Sequence, residues 1–264
     1  MLYLATMSST YNPTRRNRNI GTPKQGYGQN NRMVIPQLFA SKHGSTAQIG
    51  SHEKLIHEVN GRKVTFIVEH PNRGFLHACS VEDVLFMLSH IPSTDWVGLS
   101  TFVFRQSTRK TRIINPAWGR LYYLAEFTFS PRRGRWNGPA IFLEACKVSD
   151  IFKWPISLGR EDRNELERLR ADGHGIERIG RNHIISSRIE AVRSTQLYRT
   201  LLHEIGHWVD WLEQVETRDG DFSELLDLYF ARPKSEREAF ADRYADHWQE
   251  ILRNKGIIPF DRRG

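Results

Sequence analysis

Two cysteines, Cys79 and Cys146, are all that the 264 residues contain. One possible pair in a chain this long is not a disulfide framework, and both lie in segments that read as buried structure. They are expected as free thiols in a reducing compartment. No stretch approaches the eighteen or so apolar residues of a membrane-spanning helix. The opening, Met1 to Met7, has no basic flank and too short an apolar run for a secretory signal. Together these absences point to a cytoplasmic protein with no membrane partner. No internal repeat is visible, which excludes repeat arrays. The first forty residues lack any Asp or Glu while carrying Arg15, Arg16, Arg18, Lys24 and Arg32 among Asn, Gly, Ser, Thr and Gln. Such a segment buries too little apolar surface to offset the entropy of ordering it, so residues 1–40 are expected to form a flexible basic arm.

Residues 41–264 are long enough to bury a core of ordinary size. Strands are expected at Lys63 to Val68, Trp96 to Arg105, Arg120 to Phe129 and Pro139 to Ala145. A helix is expected at Ser80 to Ser89, with Ser80 as N-cap and Pro92 just past its end. Beyond Gly159 the sequence turns to charged helical patterns: Glu161 to Ala171, then, after a short strand-like run at His183 to Ser186, three helices. One ends near Val215, one spans Phe222 to Phe230, and one runs from about Ser235 to Leu252. A sheet-rich part at 41–160 followed by a helical part at 161–264 predicts an α+β domain.

The chemistry concentrates in Leu201-Leu-His203-Glu204-Ile-Gly-His207-Trp-Val-Asp210. Residues four apart on a helix lie about 40° apart around its axis, so the two imidazoles of H-E-x-x-H point the same way. Leu197, Leu201, Ile205, Trp208 and Leu212 form one apolar stripe nearly opposite them. Core histidines would sit in that stripe; these do not. The pair His52-Glu53 followed by His57 imitates the motif, but five residues separate its histidines, about 140° around a helix, and they cannot share one ion.

Two histidines leave a catalytic zinc one protein ligand short, because such sites use three protein groups and keep a position for water. Candidates are Glu213, six residues after His207, and the carboxylates of Ser235-Glu236-Arg237-Glu238-Ala-Phe-Ala-Asp242. Glu213 stands where metzincin-type sites place their third ligand, and in those sites a glycine three residues after the second histidine lets the chain turn back towards the metal. Asp210 stands there instead, so the helix is expected to continue and to carry Glu213 out of reach.

His203-Glu204-Ile-Gly-His207 with the downstream Glu238-Ala-Phe-Ala-Asp242 resembles the gluzincin clan of zinc metallopeptidases. That resemblance implies a zincin-like fold in which a mixed or antiparallel sheet packs on the active helix. It implies one zinc held by His203, His207 and Glu238, with Asp242 orienting the first histidine and a protein or peptide as substrate. Glu204 would be the general base. A donor to the carbonyl oxygen is sought among Tyr229, Tyr244 and His247, with Tyr229 preferred. Pro139 to Ala145 could be the edge strand along which a peptide pairs, and an ordinary core strand explains its apolar run equally well.

A net charge of +8 leaves a second class open. The basic arm and the turn Pro131-Arg132-Arg133-Gly134-Arg135-Trp136 could bind phosphate and stack a base, making the chain a nucleic-acid-binding module or a protease recruited to DNA or RNA. A closed structural zinc site would need a fourth ligand, and none is obvious.

Overall fold

The computed structural model describes residues 45–109, 112, 117–128, 135–147 and 150–264. The expected basic arm, Arg132 and Arg133 lie outside them. Residues 43–264 form one compact unit, an α+β arrangement built on a six-stranded mixed sheet.

The strands are β1 (Ser45–Gln48), β2 (His52–Val59), β3 (Arg62–Glu69), β4 (Phe75–Leu76), β5 (Thr101–Arg105), β6 (Gly119–Thr128), β7 (Arg135–Glu144), β8 (Cys146–Lys147), β9 (Asp150–Pro155), β10 (Gly175–Ile179) and β11 (Asn182–Ser187). The main sheet runs β1-β6-β7-β5-β3-β2. The β2–β3 and β6–β7 pairs are antiparallel, while β1–β6, β3–β5 and β5–β7 are parallel. Alternation of side chains assigns each strand to two cores. Phe66, Phe102, Phe104, Ile141 and Leu143 face the helices; Ile67, Val103, Ala140 and Phe142 face the other side.

Helix α1 (Val81–Ser89) starts at Ser80 with a capping box: its hydroxyl accepts from Asp83 N–H, and the Asp83 carboxylate accepts from Ser80 N–H. Helix α2 (Arg160–Ala171) packs Leu166 and Leu169 against Ile185 of the three-stranded sheet β10-β11-β9. That sheet straddles residue 160, so the expected division into a sheet-rich and a helical part is crossed by β9, β10 and β11.

The segment that carries His203 and His207 is one long helix over residues 189–216 that changes pitch. It comprises α3 (Ile189–Ser194), a π-helical turn (Thr195–Thr200), α4 (Leu201–Trp211) and a second π-helical turn (Leu212–Glu216). Leu197, Leu201, Ile205 and Trp208 are buried, with Leu212 packed against them. Helices α5 (Phe222–Ala231) and α6 (Lys234–Asn254) follow, α5 capped by the Asp221 carboxylate.

One expectation is corrected: the strand foreseen from Trp96 begins only at Thr101, since Gly98 takes φ +80° and residues 93–98 form turns, with Trp96 and Leu99 nonetheless buried. Pro139 to Ala145 is not an edge, because β7 lies between β6 and β5. The opening instead falls in β6. Its partner β1 covers only Ala125 to Thr128, so among the described residues the first half of β6 has no strand on that side.

Candidate metal centre

Helices α4 and α6 meet where side chains are smallest. A Cβ on Gly206 would stand 3.0 Å from both Cα and the carbonyl oxygen of Ala241 and 3.0 Å from Cβ of Tyr244. This close approach brings Glu238 of α6 against the two histidines of α4. Nε2 of His203 lies 3.4 Å and Nε2 of His207 lies 3.7 Å from Oε2 of Glu238. One donor atom from each of the three lies within 4.8 Å of the other two. Bonds of about 2.0–2.2 Å in tetrahedral geometry place ligand atoms roughly 3.3–3.6 Å apart; both distances to Glu238 are close to that, and the group could hold a metal ion.

The surroundings are tuned for such a role. Nδ1–H of His203 donates to Oδ1 of Asp242 at 3.0 Å, which fixes the tautomer and leaves Nε2 facing Glu238. Burial opposes a charged His203, yet the hydrogen bonds to Asp242 and Glu238 and the nearby Glu204 raise its pKa to about 10. Hydrogen bonds from His203 and His207 hold the Glu238 carboxyl well below the usual carboxylate range, and the bond from His203 lowers that of Asp242. Three carboxylates around two imidazoles thus make a cluster that attracts positive charge. Nδ1 of His207 is buried without a hydrogen-bond partner among the described residues.

Glu204 is 8% exposed, and its Oε2 accepts a 2.7 Å hydrogen bond from Leu121 N–H at the open half of β6. A strand therefore anchors this carboxylate near the His203–His207–Glu238 group. Sequence reading had no means of finding Leu121, because it acts through its backbone and through tertiary placement.

The remaining candidates fall in varied places. Glu213 is exposed on the second π-helical turn, away from the cluster. Asp210, which favoured a continuing helix, is buried and accepts from Arg232 at 2.9 Å. Tyr229 is 1% exposed and its hydroxyl meets that of Tyr123 at 2.8 Å; burial pushes both phenols up in pKa. Tyr244 donates to Asp95 at 2.7 Å, and His247 packs edgewise on Trp248. Neither joins the cluster. His52 and His57 lie on β2, where an odd separation puts them on opposite faces.

In the Arg-rich turn, only the backbone of Arg135 is described. Trp136 pairs across strands with Phe127, their rings 4.8 Å apart and nearly parallel, and Gly138 sits against the indole. Its stacking partner is thus internal. No helix among the described residues is long and apolar enough to cross a membrane. No protein-family model, curated protein or solved structure matches the chain, which leaves its chemistry to be read from these side chains.

Proposed function

We propose that the chain is a zinc-dependent metallopeptidase of zincin-like fold that hydrolyses peptide bonds in a protein substrate. The observation that carries this reading is the convergence of His203, His207 and Glu238 from two helices, with Glu204 held beside them by Leu121. Three protein groups leave a tetrahedral ion one open position, as in catalytic rather than structural zinc sites.

Bound there, zinc would polarise a scissile carbonyl and lower the pKa of a water towards about 7. Glu204 has one oxygen engaged by Leu121 N–H, so its other oxygen is the one placed to take a proton from the attacking water and deliver it to the leaving amine. Asp242 keeps His203 in the tautomer that presents Nε2. The open half of β6, next to Glu204, is where an extended peptide would add as a strand.

The deciding experiment pairs metal analysis with peptide cleavage for the wild type and Glu204→Gln. We expect one zinc per chain in both and a loss of roughly 10²–10⁴-fold in activity in the variant. A zinc-free Glu204→Gln protein, or undiminished cleavage by it, would overturn the assigned roles.

A further inference from the structure

Arg237 immediately precedes Glu238 on α6, and its guanidinium has no anionic partner among the described residues. It packs over the rings of Tyr229 and Phe230, 5.5 and 5.2 Å from their centroids. Its Nε is buried without a hydrogen-bond partner among the described residues. By contrast Arg105 pairs with Glu144, Arg193 with Asp83, Arg199 with Glu165 and Arg232 with Asp210. Carboxylates near Arg237 are already engaged. Glu238 faces the histidines and Lys234, Asp210 takes Arg232, and Glu204 takes Leu121 N–H.

The position of this free guanidinium matters as much as its freedom. Tyr229 touches the Tyr123 hydroxyl, and Tyr123 lies two residues along β6 from Leu121. The Tyr123 phenol feels both the Glu204 carboxylate and the Arg237 guanidinium. Arg237 therefore joins, through Tyr229, the aromatic side chains that continue from Leu121 along β6. An aromatic backing holds a guanidinium in place while leaving its fork available, and that fork matches a carboxylate with two parallel hydrogen bonds. A partly buried cation without a counter-ion is costly unless a ligand supplies one.

We infer that Arg237 is a specificity-determining residue that binds a carboxylate of the peptide substrate close to the scissile bond. This rests on the metallopeptidase reading, and it makes acidic peptides the substrate class. The net charge of +8 favours their approach. The carboxylate comes either from an Asp or Glu side chain or from a free C-terminus.

The test uses peptide pools that differ only in Glu against Gln, each made as the free acid and as the C-terminal amide. Cleavage is measured with zinc-loaded wild type, Arg237→Gln and Arg237→Lys. Binding of the same pools is measured by fluorescence anisotropy on zinc-loaded Glu204→Gln, with and without Arg237→Gln. We expect wild type to favour one carboxylate source by about 10–100-fold in kcat/KM. Arg237→Gln should erase that preference with zinc content retained, and Arg237→Lys should keep part of it. A side-chain source shows as Glu over Gln, a terminal source as acid over amide. Cleavage without any carboxylate preference, or a preference that survives Arg237→Gln, overturns the inference and leaves the hydrolase reading standing. An Arg237-dependent binding preference without cleavage would do the reverse.

Discussion

The carboxylate of Asp242 stands 3.0 Å from Nδ1 of His203, one helical turn beyond Glu238 on the same helix. In the proposed metal site one helix would therefore supply both a ligand and the group that aims a ligand of its neighbour. We expect Glu238→Ala to lower zinc affinity severely and Asp242→Asn to lower it by about 10–100-fold. Glu213→Ala should leave it unchanged. Competition titrations with a chelating dye check the order, and a metal-free Glu213→Ala protein with Glu238→Ala fully loaded would reverse the ligand assignment.

Gly206 lets α4 and α6 approach to backbone contact. Gly206→Ala should force them apart, costing about 1–3 kcal/mol of stability through overpacking. It should weaken zinc binding as well, since Glu238 moves away from the histidines. Chemical denaturation and zinc titration of one sample measure both; unchanged zinc affinity would show that the close approach does not position the ligand.

Asp83, fully buried, accepts hydrogen bonds from Nε and an Nη of Arg193, from Ser80 N–H and from Arg263 N–H. Burial alone would raise its carboxyl pKa, but these bonds outweigh it and hold the group below the usual carboxylate range. A depressed folded pKa contributes stability that is present above the unfolded value, about 3.9. That contribution is lost as pH falls through the folded one. Asp83→Ala should cost about 3–5 kcal/mol at neutral pH by leaving Arg193 unpaired. Asp83→Asn should flatten the acid limb of the stability curve, which thermal melts between pH 3 and 7 would reveal.

Leu121→Pro removes the N–H that holds Glu204. We expect a fall in cleavage with zinc retained, because the metal ligands are untouched. Loss of zinc in a folded Leu121→Pro protein would mean that β6 supports the cluster itself.

The helical part was largely legible because its signals are local. Ser80 announces a cap, and the apolar stripe from Leu197 to Trp208 announces a buried face with His203 and His207 behind it. Glu238 and Asp242 were singled out by the resemblance of their segment to the gluzincin pattern, and the fold brings both against His203. What escaped carries no local signal. Strand β2 is mostly exposed and rich in charge, and β10 likewise presents only one partly buried position in Gly175–Ile179, so neither shows clean alternation. The apolar run from Trp96 imitates a strand, but Gly98 bends it into a loop where Val97 O accepts from the Trp208 indole at 2.8 Å. Trp136 read as exposed stacking surface because sequence cannot show Phe127 across the ladder. Leu121 and Arg237 gain meaning only from what the fold places beside them.

His207 and Glu238 stand thirty-one positions apart, with all of α5 between them. An ion joining them would be a tether as well as a reagent. Closing a loop of that length removes disorder from the unfolded chain to an extent comparable with a disulfide, about 3–4 kcal/mol. In a chain whose two cysteines form no disulfide, this would be a reversible cross-link, opened by a chelator rather than by a reductant.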